Sequence, residues 1–102
     1  MDTLRAKYAR QNANPDYQAL KSSTPIIGIW DDHDYGINDG GKYFAQKKES
    51  RDLMFEFLGV PAGAPERSRE GAYASHTFGE GDNLVKVILL DARYFRDTLE
   101  RI

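Results

Sequence analysis

Residues 25–36 have the sequence PIIGIWDDHDYG, in which an apolar run leads directly into three carboxylates and one imidazole. The run at 25–30 is typical of a short buried strand that begins at proline. Like charges at adjacent positions repel, and burying them is costly unless a positive group lies among them. The sequence therefore predicts a cationic partner for this cluster, most simply a metal ion.

A second apolar run also ends in a carboxylate. Residues 84–91, LVKVILLD, have the strongest strand pattern in the chain, and residues 72–78 alternate loosely before a GEGDN turn. These patterns predict a hairpin or an adjacent pair of strands. Two strands that both end in aspartate favour an α/β architecture whose polar groups meet at one sheet edge. We expect Asp91 to cap the next loop or to pair with Arg93 or Arg96, rather than to bind a metal.

Helical patterns surround these two runs. Residues 2–14 favour one helix, and Asn14 in front of a proline starts a second, shorter one. A longer pattern runs from Lys42 or Tyr43 to Leu58, where Gly59 provides a stop signal. The apolar residues on one face of this helix, predicted to lie in the core, are Phe44, Phe55 and Leu58.

Composition limits the classes of function. A chain of 102 residues suffices for one small domain. Its net charge of −2 and pI near 5.6 disfavour nucleic-acid binding by charge. No apolar run approaches the roughly 20 residues that a membrane span needs. The chain has no cysteine, so any metal would be bound through oxygen and imidazole, which favours hard or borderline ions.

The acidic cluster suits the hydrolysis of phosphate esters. Neighbouring residues of a non-helical segment point to different sides, so we expect them to take different roles. Asp32 is the candidate metal ligand, His33 the group at the leaving alkoxide, and Asp34 the acid that orients this imidazole. Asn38 and Asp39 offer further oxygen ligands. The open alternative is a cluster that only caps a turn or lies in a solvated loop.

Four motifs in the order WDDHDYG, FLGVP, RSREGAYASHTFG and VKVILLDARYFRD carry a family resemblance. The chain resembles the alkaline phosphatase D (PhoD-like) family of calcineurin-like metallophosphoesterases from about Tyr8 to Asp97. The resemblance implies a β-sandwich flanked by helices, incomplete in this chain. It also implies metal-dependent hydrolysis of phosphate monoesters or diesters as the activity, with a phosphate ester as the substrate.

The resemblance carries over residue by residue. In the superfamily motif Gly-Asn-His-Asp/Glu, Asp31 stands at the glycine, Asp32 replaces the asparagine ligand, His33 matches the catalytic histidine and Asp34 its supporting acid. The extra charge of Asp32 favours a hard cation. The resemblance implies Ca²⁺ and Fe³⁺, with Mn²⁺ or Zn²⁺ also compatible. Tyr35 and Arg93 are the candidates for substrate binding.

Other superfamily elements do not occur in the chain. No Asp-X-His element precedes the acidic cluster and no Gly-His element follows it, and His76 matches no family motif. We therefore expect an internal fragment of a catalytic domain, completed by missing segments of the same domain and inactive alone. The alternative is a truncated, non-catalytic fragment that binds a cation or has a structural role. The resemblance implies a periplasmic or secreted full-length relative, although residues 1–11 carry no readable export signal.

Overall fold

The structure, a computed structural model, describes residues 1–100. Within this range the chain forms four α-helices and one β-hairpin. The elements are α1 (Asp2–Asn12), α2 (Pro15–Ser23), α3 (Asp32–Tyr35), α4 (Lys47–Leu58), β1 (Ala74–Phe78) and β2 (Val85–Leu89). Short 3₁₀ turns lie at Pro65–Ser68 and Gly81–Asn83. None of the helices in residues 1–100 is long and apolar enough to cross a membrane.

The first two helices lie against α4. The side chain of Asn14 caps α2, since its Oδ1 accepts hydrogen bonds from the backbone N–H groups of Asp16 and Tyr17 at 2.9 and 3.1 Å. The Phe57 ring stacks on Tyr8 and on Tyr17, with ring centroids 4.7 and 5.7 Å apart. The predicted cap of α2 is confirmed, and aromatic stacking attaches both helices to α4.

Helix α4 begins later than its sequence pattern predicts. It starts at Lys47, because the preceding residues form tight turns in which Phe44 N–H bonds to Gly41 O at 3.1 Å and Lys47 N–H to Phe44 O at 3.2 Å. It ends at Leu58, where Gly59 adopts a left-handed conformation with φ 71°. The predicted stop is confirmed, and the predicted start is wrong by about one helical turn.

The hairpin follows the prediction for the C-terminal third of the chain. Strands β1 and β2 are antiparallel, with Ala74 opposite Leu89 and Phe78 opposite Val85. His76 lies in β1 and is partly buried, as expected of a strand residue without a catalytic motif.

Two further predictions of local structure are wrong. Residues 25–30 form no strand, because no other segment of the described chain pairs with them and a strand requires a hydrogen-bonded neighbour. Asp32–Tyr35 is one turn of helix rather than a non-helical segment. The chain thus combines helices with one two-stranded sheet, and residues 1–100 include no second sheet that would complete a sandwich.

The core lies between α4, residues 29–35 and the segment that follows β2. Tyr35 is fully buried, its ring meets Trp30 edge-on at 4.8 Å, and its backbone carbonyl accepts a 2.6 Å hydrogen bond from the buried Ser50 hydroxyl. The buried cluster consists of Trp30, Tyr35, Met54, Phe55, Ala72 and Tyr94. Phe44 and Leu58 pack against it, so the predicted core residues Phe44, Phe55 and Leu58 are confirmed, although Phe44 precedes α4. This core fixes the start of the acidic cluster, which follows Trp30 directly.

Candidate active site

The acidic cluster and the residues after it form one loop, residues 31–41, which we call the acidic loop. Its first part is the helical turn α3, and its carboxylates shape it locally. The Asp34 carboxylate accepts the backbone N–H of Asp31, with oxygen distances of 3.1 and 3.2 Å. The Asp32 carboxylate accepts the N–H of His33 at 2.8 Å and, with its other oxygen, the N–H of Asp39 at 3.1 Å.

These contacts set the ionisation of Asp32. The N–H of Asp39 is the largest of the influences that hold the pKa of this carboxyl below its ordinary value, and the N–H of His33 acts in the same direction. Asp32 is therefore a carboxylate throughout the neutral pH range. By accepting the N–H of Asp39, the Asp32 carboxylate joins two residues of the acidic loop that are seven positions apart.

His33 is one of the exposed residues of the predicted site. Its side chain is 79% exposed, and its Nε2 lies 4.0 Å from the nearest Asp32 oxygen. The Asp34 carboxylate accepts no hydrogen bond from His33 in the described structure, because it is turned to the Asp31 backbone N–H. Together with Tyr8 and Phe57, His33 and Asp34 line an open hollow of about 380 Å³. The imidazole is thus available to a molecule in solution.

Tyr35 and Arg93, the candidates for substrate binding, are placed differently from the sequence expectation. Tyr35 is in the core, where burial raises the pKa of its phenol to about 12 and its hydroxyl donates to Gly41 O at 2.8 Å. The structure therefore does not place it at the rim of the loop. Arg93 is 13% exposed and its guanidinium donates to the Asp31 carboxylate. Both residues hold parts of the acidic loop.

Asn38 and Asp39, the further candidate ligands, lie at the tip of the loop. The Asn38 amide donates to the Asp39 carboxylate at 3.4 Å, and Asp39 has a left-handed backbone with φ 54°. Aspartate is among the residues that tolerate this conformation. The turn brings the backbone of Asp39, rather than its carboxylate, to Asp32.

The described residues do not supply a metal site by themselves. Within residues 1–100, no three histidine, aspartate or glutamate side chains converge as a metal would require. The carboxylates of Asp32 and Asp34 already accept backbone N–H groups, and the His33 imidazole points to solvent. The predicted ligands are therefore neighbours in one loop without forming a binding cluster.

Within residues 1–100, Asp91 is the carboxylate that accepts the most hydrogen bonds. One oxygen accepts the Trp30 indole N–H at 2.9 Å and the N–H groups of Arg93 and Tyr94 at 2.9 and 3.0 Å. The other accepts the N–H of Ala72 at 2.8 Å. Its predicted role as a cap of the following loop is confirmed. The bond to Trp30, which lies 61 positions earlier, has no local signal in the sequence.

Arg96, one of the two alternative partners predicted for Asp91, contacts the acidic loop. Its guanidinium donates to the carbonyl of Asp39 and, at 3.3 Å, to that of Gly40. These carbonyls lie 57 and 56 positions before Arg96 in the chain.

The comparison with protein families identifies the chain. The family model described as PhoD-like phosphatase matches residues 1–101. The chain belongs to the PhoD-like phosphatase family. The resemblance inferred from WDDHDYG and VKVILLDARYFRD is thereby confirmed. Neither curated proteins nor solved structures gave a match. Membership of this PhoD-like family implies a phosphatase that acts on phosphate esters and is generally metal-dependent.

Proposed function

We propose that this PhoD-like chain contributes the catalytic histidine, His33, to a metal-dependent centre that hydrolyses phosphate monoesters or diesters. The family match over residues 1–101 carries the proposal. The structure supports it, because the imidazole is exposed and lies beside the ionised Asp32. Imidazole is suited to this work, since it exchanges a proton near neutral pH.

His33 is assigned to the leaving group. An imidazolium at this point stabilises the charge that develops on the departing alkoxide and donates a proton to it. Helical turn α3 carries His33, and Asp34 closes this turn by accepting the N–H of Asp31. In this proposal Asp34 supports the imidazole through the backbone, rather than by a direct hydrogen bond.

The metal belongs to the complete site. We propose Ca²⁺ and Fe³⁺, or alternatively Mn²⁺ or Zn²⁺, with Asp32 as one ligand and Asn38 and Asp39 as nearby oxygen ligands. The described residues form no cluster of three suitable side chains, so further ligands must come from other segments of the same catalytic domain. Two observations support such a larger domain. Residues 25–30 have no strand partner within residues 1–100, and strand β2 is largely exposed.

A second candidate is a non-catalytic fragment with a structural or weak cation-binding role. The observation in its favour is the same lack of a converging ligand set within residues 1–100. The hydrogen bonds of Asp32 and Asp34 to backbone N–H groups are also what a purely structural turn would have.

Hydrolysis of an aryl phosphomonoester and of a phosphodiester tests the two candidates. The 102-residue chain is assayed with Ca²⁺ plus Fe³⁺ or Mn²⁺, beside His33→Ala and His76→Ala, which remove its two histidines in turn. Metal-dependent turnover that His33→Ala abolishes and His76→Ala retains supports the catalytic assignment. Turnover that survives His33→Ala refutes the role of His33. No turnover with any metal is the result that both candidates predict for the chain alone, because the proposed metal centre requires further segments of the catalytic domain.

A further inference from the structure

The segment after β2, residues 91–97, lies along the acidic loop and contacts it at both ends. Arg93 reaches Asp31 at the start of the loop, and Arg96 reaches Asp39 and Gly40 near its end. A backbone hydrogen bond of 2.8 Å from Lys42 N–H to Arg96 O joins the two segments just beyond the loop. Two arginines of one segment thus hold the two ends of the loop that carries His33.

The position of Arg93 favours a role in holding the acidic loop over a role in contacting the substrate. Its side chain is 13% exposed, and its Nε and Nη1 atoms are buried and have no hydrogen-bond partner within residues 1–100. The donor atom that has a partner, Nη2, is bound to the Asp31 carboxylate. A substrate in solution therefore meets the Asp31 carboxylate, which is 79% exposed, before it meets the guanidinium.

Arg96 acts on the loop backbone. Its Nη2 donates to two successive carbonyls, and successive carbonyls face one donor only while the turn at Asp39 and Gly40 keeps its shape. The N–H of the same Asp39 binds the Asp32 carboxylate at 3.1 Å. The contact of Arg96 is thereby linked to the residue next to His33.

We propose that Arg93 and Arg96 are positioning residues that hold the acidic loop closed at its two ends and so fix the orientation of His33. The catalytic part of this proposal, the orientation of His33, rests on the proposed function. The contacts by which Arg93 and Arg96 hold the loop do not depend on it. Arg93 acts through Asp31, next to α3, and Arg96 through the carbonyls at the loop tip. Neither residue is expected to contact the substrate.

Hydrogen exchange on the whole 102-residue chain tests the proposal without an activity assay. The probes are five of the loop amides that are hydrogen-bonded in the structure: Tyr35, Gly36, Ile37, Asp39 and Gly40. Arg93→Gln and Arg96→Gln remove one holding contact each, and Arg93→Lys keeps the charge opposite Asp31. Arg10→Gln, at an exposed arginine of α1, is the matched control.

Each glutamine variant is expected to raise exchange of the loop amides by roughly threefold to tenfold, because a charged hydrogen bond that stabilises the loop is lost. Arg93→Lys should recover most of the protection near Asp31, and Arg10→Gln should change nothing. Amides of α4 should keep their rates in all four variants. Unchanged exchange in the acidic loop would overturn the proposal, and so would a uniform rise that includes α4, since that indicates general destabilisation. None of these measurements requires turnover. The proposal about the two arginines can therefore fail while the proposed function stands, and the proposed function can fail while the proposal about the arginines stands.

Discussion

The two apolar runs that end in aspartate have the same sequence pattern and different structures. Residues 84–90 contain β2, which is paired to β1, whereas residues 25–30 are unpaired within the described chain. Their terminal carboxylates differ as well. Asp91 accepts four N–H groups around one buried junction, while the side chain of Asp31 is 79% exposed and meets Arg93.

The difference shows what decides the role of a carboxylate at the end of an apolar run. Two of the donors to Asp91 follow it directly, and the other two, Trp30 and Ala72, come from distant segments. Asp31 is followed by a helical turn in which the Tyr35 N–H binds the backbone carbonyl of Asp31 at 3.0 Å. The local sequence pattern therefore predicts a carboxylate at the end of the apolar run. Donors from distant segments decide whether this carboxylate is used in hydrogen bonds within the fold or stays accessible to solvent.

The largest effect on the free energy of unfolding is expected for a substitution of Asp91. Asp91→Ala leaves the buried Trp30 indole and the Ala72 N–H without an acceptor, so the free energy of unfolding should fall by about 3 kcal/mol. Urea denaturation followed by circular dichroism measures the change. Asp82→Ala, in the exposed turn between β1 and β2, is the control and should change stability by less than about 0.5 kcal/mol. Equal losses in the two variants would contradict the contrast between Asp91 and exposed carboxylates.

A somewhat smaller effect is expected where the two segments touch. A Cβ atom at Gly41 would lie 2.5 Å from the backbone oxygen of Arg96, which forces the loop and residues 91–97 apart. Gly41→Ala should therefore lower the free energy of unfolding by about 2 kcal/mol.

Gly63→Ala is the matched control, since a Cβ atom there meets nothing within 4 Å. Thermal or urea denaturation of both variants makes the comparison. If Gly41→Ala is as stable as Gly63→Ala, the close approach of Gly41 to Arg96 is not present in solution.

Acid should weaken the acidic loop in a way that depends on Asp32. Its pKa is lower in the folded chain than the ordinary value of 3.8, so the ionised form favours folding. This contribution is present at neutral pH and is lost as pH falls below about 4, through the folded-state pKa. Asp32→Asn should reduce the fall in stability between about pH 6 and about pH 2, measured by urea midpoints at each pH. An unchanged acid profile in Asp32→Asn would remove Asp32 from the set of groups that stabilise the loop.

The smallest effect on stability is expected on the outer face of the hairpin. Ile88 is 64% exposed and lies opposite Ser75, so Ile88→Thr should change the free energy of unfolding by less than about 0.5 kcal/mol. Light scattering should show less self-association, because exposed apolar strand residues promote edge-to-edge pairing. A large loss of stability would mean that this face of β2 is packed in solution.

Sequence patterns predicted those features that depend on neighbouring residues. The cap by Asn14, the stop at Gly59 and the antiparallel hairpin all follow from signals within a few positions. The same is true of Asp91, whose donors at Arg93 and Tyr94 lie two and three positions on.

The remaining features depend on segments far apart in the chain. Whether residues 25–30 form a strand depends on a partner that is not among residues 1–100. The burial of Tyr35 depends on Trp30, Phe44 and the Ser50 hydroxyl from α4. In the candidate site, the contact of Arg96 with the loop carbonyls could not be predicted from spacing, because it joins residues 56 and 57 positions apart.

The indole of Trp30 lies at the junction between the two aspartate-ended runs and donates to Asp91. It is the single tryptophan in the sequence. The chain therefore contains its own fluorescent probe at the point where its N-terminal and C-terminal halves meet. The fluorescence emission of Trp30 will report whether that junction is closed, without any label and without a substrate.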